Sequence, residues 1–97
     1  VTTIKVTLAD KGRVLATHGT LVGVRLLKVP AYHGGRFSLV DSDRGPNLTH
    51  LPPRPLFEAA VFTYDKPATL LKNDDSWFAG LVMDACPGGA EFEIDIA

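Results

Sequence analysis

The chain has one cysteine, Cys86, so no internal disulfide can staple it, and a lone free thiol suits a reducing compartment. It has no surplus of either charge. Ten Lys and Arg stand against eleven Asp and Glu, for a formal net charge of −1. Proteins that track nucleic acid or an anionic membrane carry a clear basic excess, so neither is an expected partner. Long apolar runs are missing as well. No stretch approaches the roughly 18 residues of a membrane span, and no basic-then-apolar leader opens the sequence. Helical spacing is also scarce, because seven prolines and nine glycines cut the chain into short pieces.

What is present is hydrocarbon in period two. The chain is 45% hydrophobic and 22% charged, the mixture of a globular chain and not of a disordered one. Its 97 residues make a single β domain, 1–97, with a modest core, soluble and cytosolic by composition. In "TIKVTL" (3–8), Ile4, Val6 and Leu8 share one face and Thr3, Lys5 and Thr7 the other. "ADKG" (9–12) supplies a turn in which Gly12 takes a positive φ, and "RVLAT" (13–17) is a short second strand. Residues 20–29 form the strongest strand, stopped by Pro30, and "RFSLVD" (36–41) forms the next. The pattern resumes over 56–64 and in a final hairpin, 78–96, where Pro87 and Gly88 occupy the central positions of a type II turn. The "TLL" at 69–71 fits an edge strand or one helical turn. About seven strands and no helix of length predict an all-β fold, an antiparallel β-sandwich or a jelly-roll-like barrel.

Three of these strands carry apolar residues on both faces. In 21–29, Val22, Val24 and Leu26 oppose Leu21, Leu27 and Val29. In 56–64, Ala60 and Phe62 oppose Ala59 and Val61, and in 77–83 Trp77, Ala79, Leu81 and Met83 oppose Phe78, Gly80 and Val82. A two-sheet sandwich needs one apolar face per sheet, so the second is covered by long loops or by a partner. The connections 42–55 and 65–76, 14 and 12 residues long, are long enough to do part of that covering.

Chemistry-bearing constellations are thin. "DSDRGPN" starts like a calcium loop, but the fifth, sixth and twelfth positions hold Gly45, Pro46 and Pro52 where an EF-hand needs Asp or Asn, Gly and Glu. His18, His33 and His50 lie in breaks without metal-ligand spacing. Cys86 sits at a turn before Pro87 with no hydrolase signature, and Asp74-Asp75 follow Asn73 in turn composition. No enzyme, no cofactor and no metal is therefore expected. "LPPRPL" (51–56) satisfies P-x-x-P through Pro52 and Pro55 and makes a stiff extended connector, or an arm laid on a neighbouring subunit. Trp77 and Tyr64 belong to apolar strand phases and are assigned to the core, which leaves Tyr32 as the free aromatic residue.

Three stretches combine into a resemblance: "GTLVGVRLL" (19–27), "GGRFSLVDS" (34–42) and "WFAGLVMDACPGGAEFEIDI" (77–96). In this order they are similar to small all-β head proteins of tailed bacteriophages, of the capsid decoration or cement type. The resemblance covers about two thirds of the chain and rests on turn-and-strand patterns. The N-terminal strand and the crossovers at 47–55 and 65–75 depart from it. It implies a virion protein made in the host cytoplasm that binds the major capsid protein on the outer capsid surface, stabilises the shell without catalysis, and self-associates, with a trimer favoured. Closed symmetry of that kind covers exposed sheet edges, and many weak contacts give avidity. The expected interface residues are Tyr32, His33, Pro52, Pro53, Arg54 and Pro55, together with the N-terminal strand. The alternatives are a ligand-binding β-sandwich, of carbohydrate-binding or adhesion type, and another virion component such as a head fibre or tail protein.

Overall fold

A computed structural model of the chain describes residues 1–30, 35–42, 53–60 and 66–97. Their alternating apolar pattern produces nine strands: β1 (Thr2–Val6), β2 (Val14–Ala16), β3 (Gly19–Lys28), β4 (Arg36–Asp41), β5 (Arg54–Ala60), β6 (Ala68–Leu71), β7 (Ser76–Phe78), β8 (Leu81–Ala85) and β9 (Glu91–Ile96). They form two antiparallel sheets, so the fold is an all-β antiparallel sandwich. The first sheet runs β1-β9-β3-β6, with β7 also paired to β3, and the second runs β2-β8-β4-β5. The "TLL" segment is thus an edge strand. One 3-10 turn, Leu8–Asp10, joins β1 to β2. There the Thr7 N–H donates to Asp10 Oδ2 at 3.0 Å, and Gly12 takes φ +82°.

Cross-strand rows make the core. Ile4, Ile94 and Val24 align across the first sheet, and next to them Val6, Phe92 and Leu26. In the second sheet Leu39 lies opposite Met83 on one side and Phe57 on the other. The two sheets meet at an aromatic contact: the rings of Phe37 and Phe92 stack 3.9 Å apart at 18°, both buried. Phe57 tilts against Phe37 at 6.3 Å.

Two of the doubly apolar strands owe much of that pattern to a change of phase along the chain. β3 slips register against β9 between Leu21 and Gly23, a β-bulge, so Leu21 and Val24 both point inward although they are an odd three positions apart. The run 76–85 is two strands in different sheets: β7 pairs with β3, β8 with β2 and β4, and Ala79–Gly80 make the passage between them. The bend reverses the phase, so Phe78, Leu81 and Met83 are all buried, while Trp77 is 61% exposed and not in the core. In 56–64 the description ends at Ala60.

The C-terminal stretch is likewise no paired hairpin. β8 and β9 lie in opposite sheets, and Cys86–Ala90 arches between them. The Ala90 N–H donates to Pro87 O at 3.4 Å, and the positive φ of +81° falls on Gly89, one residue later than a type II turn centred on Pro87 and Gly88 would place it. Among the described residues, β4 and β5 are the one pair of successive strands that hydrogen-bond to each other. Arg54 and Pro55 are part of β5 and not of the connector. Proline is tolerated there because β5 is an edge strand, where no ladder needs its missing N–H.

The passage between β7 and β8 is held by a buried carboxylate. Asp41, at the end of β4, accepts hydrogen bonds from the Gly80 N–H at 3.0 Å and the Ala79 N–H at 3.2 Å. Arg54 Nη2 donates to the same carboxylate at 3.0 Å and also to the carbonyl of Trp77 in the other sheet. Ser42 donates its N–H to Gly80 O at 2.8 Å. Replacing Asp41 by Ala orphans buried amides and a cation together, so Asp41→Ala is expected to lose about 2–4 kcal/mol of unfolding free energy. Arg54→Ala, at a half-exposed site, is expected to lose about 1 kcal/mol or less. Urea denaturation of both variants checks the ranking, and equal losses would show that the carboxylate does not hold the corner.

Candidate binding faces

The outward surfaces of the two sheets differ in chemistry. On the first sheet the register builds a charge ladder. Lys5, Glu93 and Arg25 align across β1, β9 and β3, and Lys28 lies opposite Glu91. The Arg25 Nε–H donates to Glu93 Oε1 at 3.0 Å and its Nη2 to Asp95 Oδ1 at 3.0 Å. The Thr3 hydroxyl donates to the same Oδ1 at 2.8 Å. Gly23 makes room for this network: a Cβ there would stand 3.1 Å from Leu71 O and 3.2 Å from Asp95 Oδ2. The hydrogen bonds it donates to Asp95, then to Glu93, hold the Arg25 guanidinium above its ordinary range, and the same bonds from Arg25 hold the Asp95 carboxyl below the usual carboxylate range.

The second sheet carries hydrocarbon outward. Val14 lies opposite Val82, Val82 opposite Val40, and Val40 opposite Pro55. Directly opposed residues share a face. Leu81 and Met83, on either side of Val82, point into the core, so this row points out. It crosses all four strands of the sheet. Val14 is 59% exposed and Pro55 is exposed at the far end, whereas Val40 between them is only 8% exposed. Beside the row, Arg36 and Glu58 pair at 2.9 Å. A third feature is a cleft of about 380 Å³ where edge strands β1 and β2 splay apart, lined by Ile4, Leu15, Ala16, His18 and Ile96.

Of the residues expected from the sequence to form an interface, Tyr32, His33 and Pro52 lie outside the described residues, as do His50 and Tyr64. Pro53 is exposed just before β5, Pro55 ends the valine row, and the Arg54 guanidinium is engaged by Asp41 and the Trp77 carbonyl. The N-terminal strand is the edge of the first sheet. Val14, Val82 and Val40 were not singled out in the sequence, because their alignment exists only once the strands are in register. Trp77 is assigned to the core by alternation because the bend at Ala79–Gly80 that turns it outward is held by Asp41, far away in sequence.

Asp74 serves a turn, its Oδ2 accepting from Ser76 Oγ at 2.6 Å. Among the described residues no three His, Cys, Asp or Glu side chains gather as metal ligands. Burial pushes the Cys86 thiol up to about 11, with the charge of Asp10 adding to it. No family model, curated protein or solved structure matches the chain.

Two outcomes follow from these environments. A thiol at about 11 is almost wholly protonated at pH 8, so iodoacetamide should alkylate native Cys86 about a hundredfold more slowly than the urea-unfolded chain. Equal rates would mean that the thiol is not shielded. Asp95 is held below its unfolded value, so its contribution to stability is complete above the unfolded pKa of about 4 and is lost as pH falls through the folded one. The gap in urea midpoint between the wild-type chain and Asp95→Asn should stay constant above about pH 5 and close below about pH 4. A gap that widens in acid would refute this.

Proposed function

We propose that the chain is a non-catalytic docking module that decorates a capsid shell. The observation that carries this reading is the contrast between the two sheets. One outward face is a charge ladder suited to water, and the other presents a valine row open at β2. A domain with one wet face and one face of hydrocarbon binds in a fixed orientation, apolar side down. The resemblance to capsid cement proteins supplies the partner, the major capsid protein, the trimeric arrangement and the outer virion surface as the site of action. Pro55, expected as an interface residue, ends the same row. Attachment by many symmetry-related copies needs no strong single contact, which suits a row only partly exposed.

The test is the copy number of the chain in purified particles of its source, measured by quantitative mass spectrometry against the major shell protein. A ratio of one to one, or a simple fraction of it, is expected. A few copies per particle would instead support a fibre or tail component, and absence from particles would end the virion reading. The face is checked by adding purified chain to stripped shells and sedimenting them. Val14→Asp, at an exposed position that leaves the core intact, should weaken binding about tenfold or more. Unchanged binding would remove the valine row from the interface.

A further inference from the structure

We infer that the outward face of the first sheet carries a binding site for a neutral carbohydrate, centred on the cleft beside Gly23 and flanked by Trp77. β6 pairs with β3 at Val24–Leu26 and β7 at Gly19–Leu21, so β3 lacks a strand partner on that side at Val22 and Gly23. The connection between β6 and β7 turns back over this gap. Asn73 takes a left-handed φ of 56°, and the Asp74 N–H donates to Val22 O at 2.8 Å. The bulge, the missing Cβ of Gly23 and the retreating connection leave a cleft of about 310 Å³. That is the small end of the range for ligand sites, the size of one sugar ring and its hydroxyls.

Its lining suits a polyol. Arg25 and Asp95 are locked to each other, so they present polar atoms in fixed positions. Thr69, Asn73 and Lys72 line the same cleft, and none of their side chains makes a hydrogen bond to the protein among the described residues. Val22 and Leu71 add hydrocarbon to the walls. Trp77 pairs with Thr20, two residues along β3 from Val22, which places it about 7 Å away along the strand on the same outward face. Its indole, 61% exposed, is a flat platform of the kind that stacks on the C–H face of a sugar.

Charge narrows the ligand class. Arg25 is balanced by Glu93 and Asp95, and Lys72 is followed by Asp74 and Asp75, so the cleft holds no net positive field for a phosphate or sulfate. A neutral oligosaccharide, one ring in the cleft and the next over Trp77, satisfies the free donors and acceptors without a counter-charge.

Trp77 is the sole tryptophan, so selectively excited tryptophan emission reports on this site alone. The full chain is titrated to about millimolar concentration with maltotetraose, cellotetraose and tetra-N-acetylchitotetraose, and separately with inorganic phosphate. A saturable emission change with at least one sugar is expected, weakened about tenfold by Asn73→Ala and equally by Thr69→Ala. Val14→Asp, on the opposite sheet, should leave the titration unchanged, so failure of the capsid interface and failure of this site are told apart. Three outcomes would overturn the inference: no saturable change with any of the sugars, a response to phosphate alone, or a sugar response that neither cleft variant alters.

Discussion

The carboxylate of Asp41 lies where a sandwich interior ordinarily admits hydrocarbon only, and the rest of the fold depends on its being there. β7 and β8 belong to different sheets, and two residues make the passage between them. At such a bend the amides of Ala79 and Gly80 have left one ladder and not yet joined the other. Buried and unpaired, each would cost on the order of 1–3 kcal/mol. Asp41 accepts both, and Ser42 takes the Gly80 carbonyl. Arg54 then balances the buried charge and reaches a carbonyl of the opposite sheet, so one side chain links β4, β5 and β7.

Because that corner holds, the phase of everything after it is set. Phe78 closes the first sheet from within, and Leu81 and Met83 open the second facing the same core. The chain then arches back through Cys86–Ala90 to lay β9 between β1 and β3, where Phe92 meets Phe37 across the interior. Nearly every connection crosses the sandwich, so strands pair with partners distant in sequence. Such a topology closes long loops before its contacts reward it, which slows folding and makes local devices at the corners more valuable.

The same topology explains what could be read from the residues alone. Alternation is a property of one strand, and it correctly located β1, β3, β4 and β9, the all-β class and the two-layer sandwich. Bulges and corners belong to pairs of strands. Leu21 and Val24 in phase, or Phe78 and Leu81, read as surplus hydrocarbon until the bulge against Ile96 and Asp95 and the Asp41 latch are seen. The Cys-Pro-Gly-Gly segment read as a hairpin for a related reason: turn chemistry fixes a reversal, but it does not say whether the returning strand pairs in the same sheet. The valine row had no signal in sequence at all, since Val14, Val82, Val40 and Pro55 are far apart in the chain and meet only through register.

Correcting those phases also moves the argument about function. Hydrocarbon that looked spread over three strands is drawn into the core by the bend in one and the bulge in another. The large apolar side chains most exposed on the described strands are Val14, at the end of the row on one sheet, and the Trp77 indole on the other. The two features cannot serve one flat partner, because the sandwich stands between them. The ladder Lys5–Glu93–Arg25 separates them chemically as well, with Arg25 satisfied by Glu93 and Asp95. Yet that self-satisfaction is what keeps Arg25 and Asp95 rigid at the rim of the Gly23 cleft, with no reorganisation needed on binding. A module that docks through one sheet and binds a small polar ligand on the other needs this division: hydrocarbon where it attaches, and fixed polar groups where it faces water.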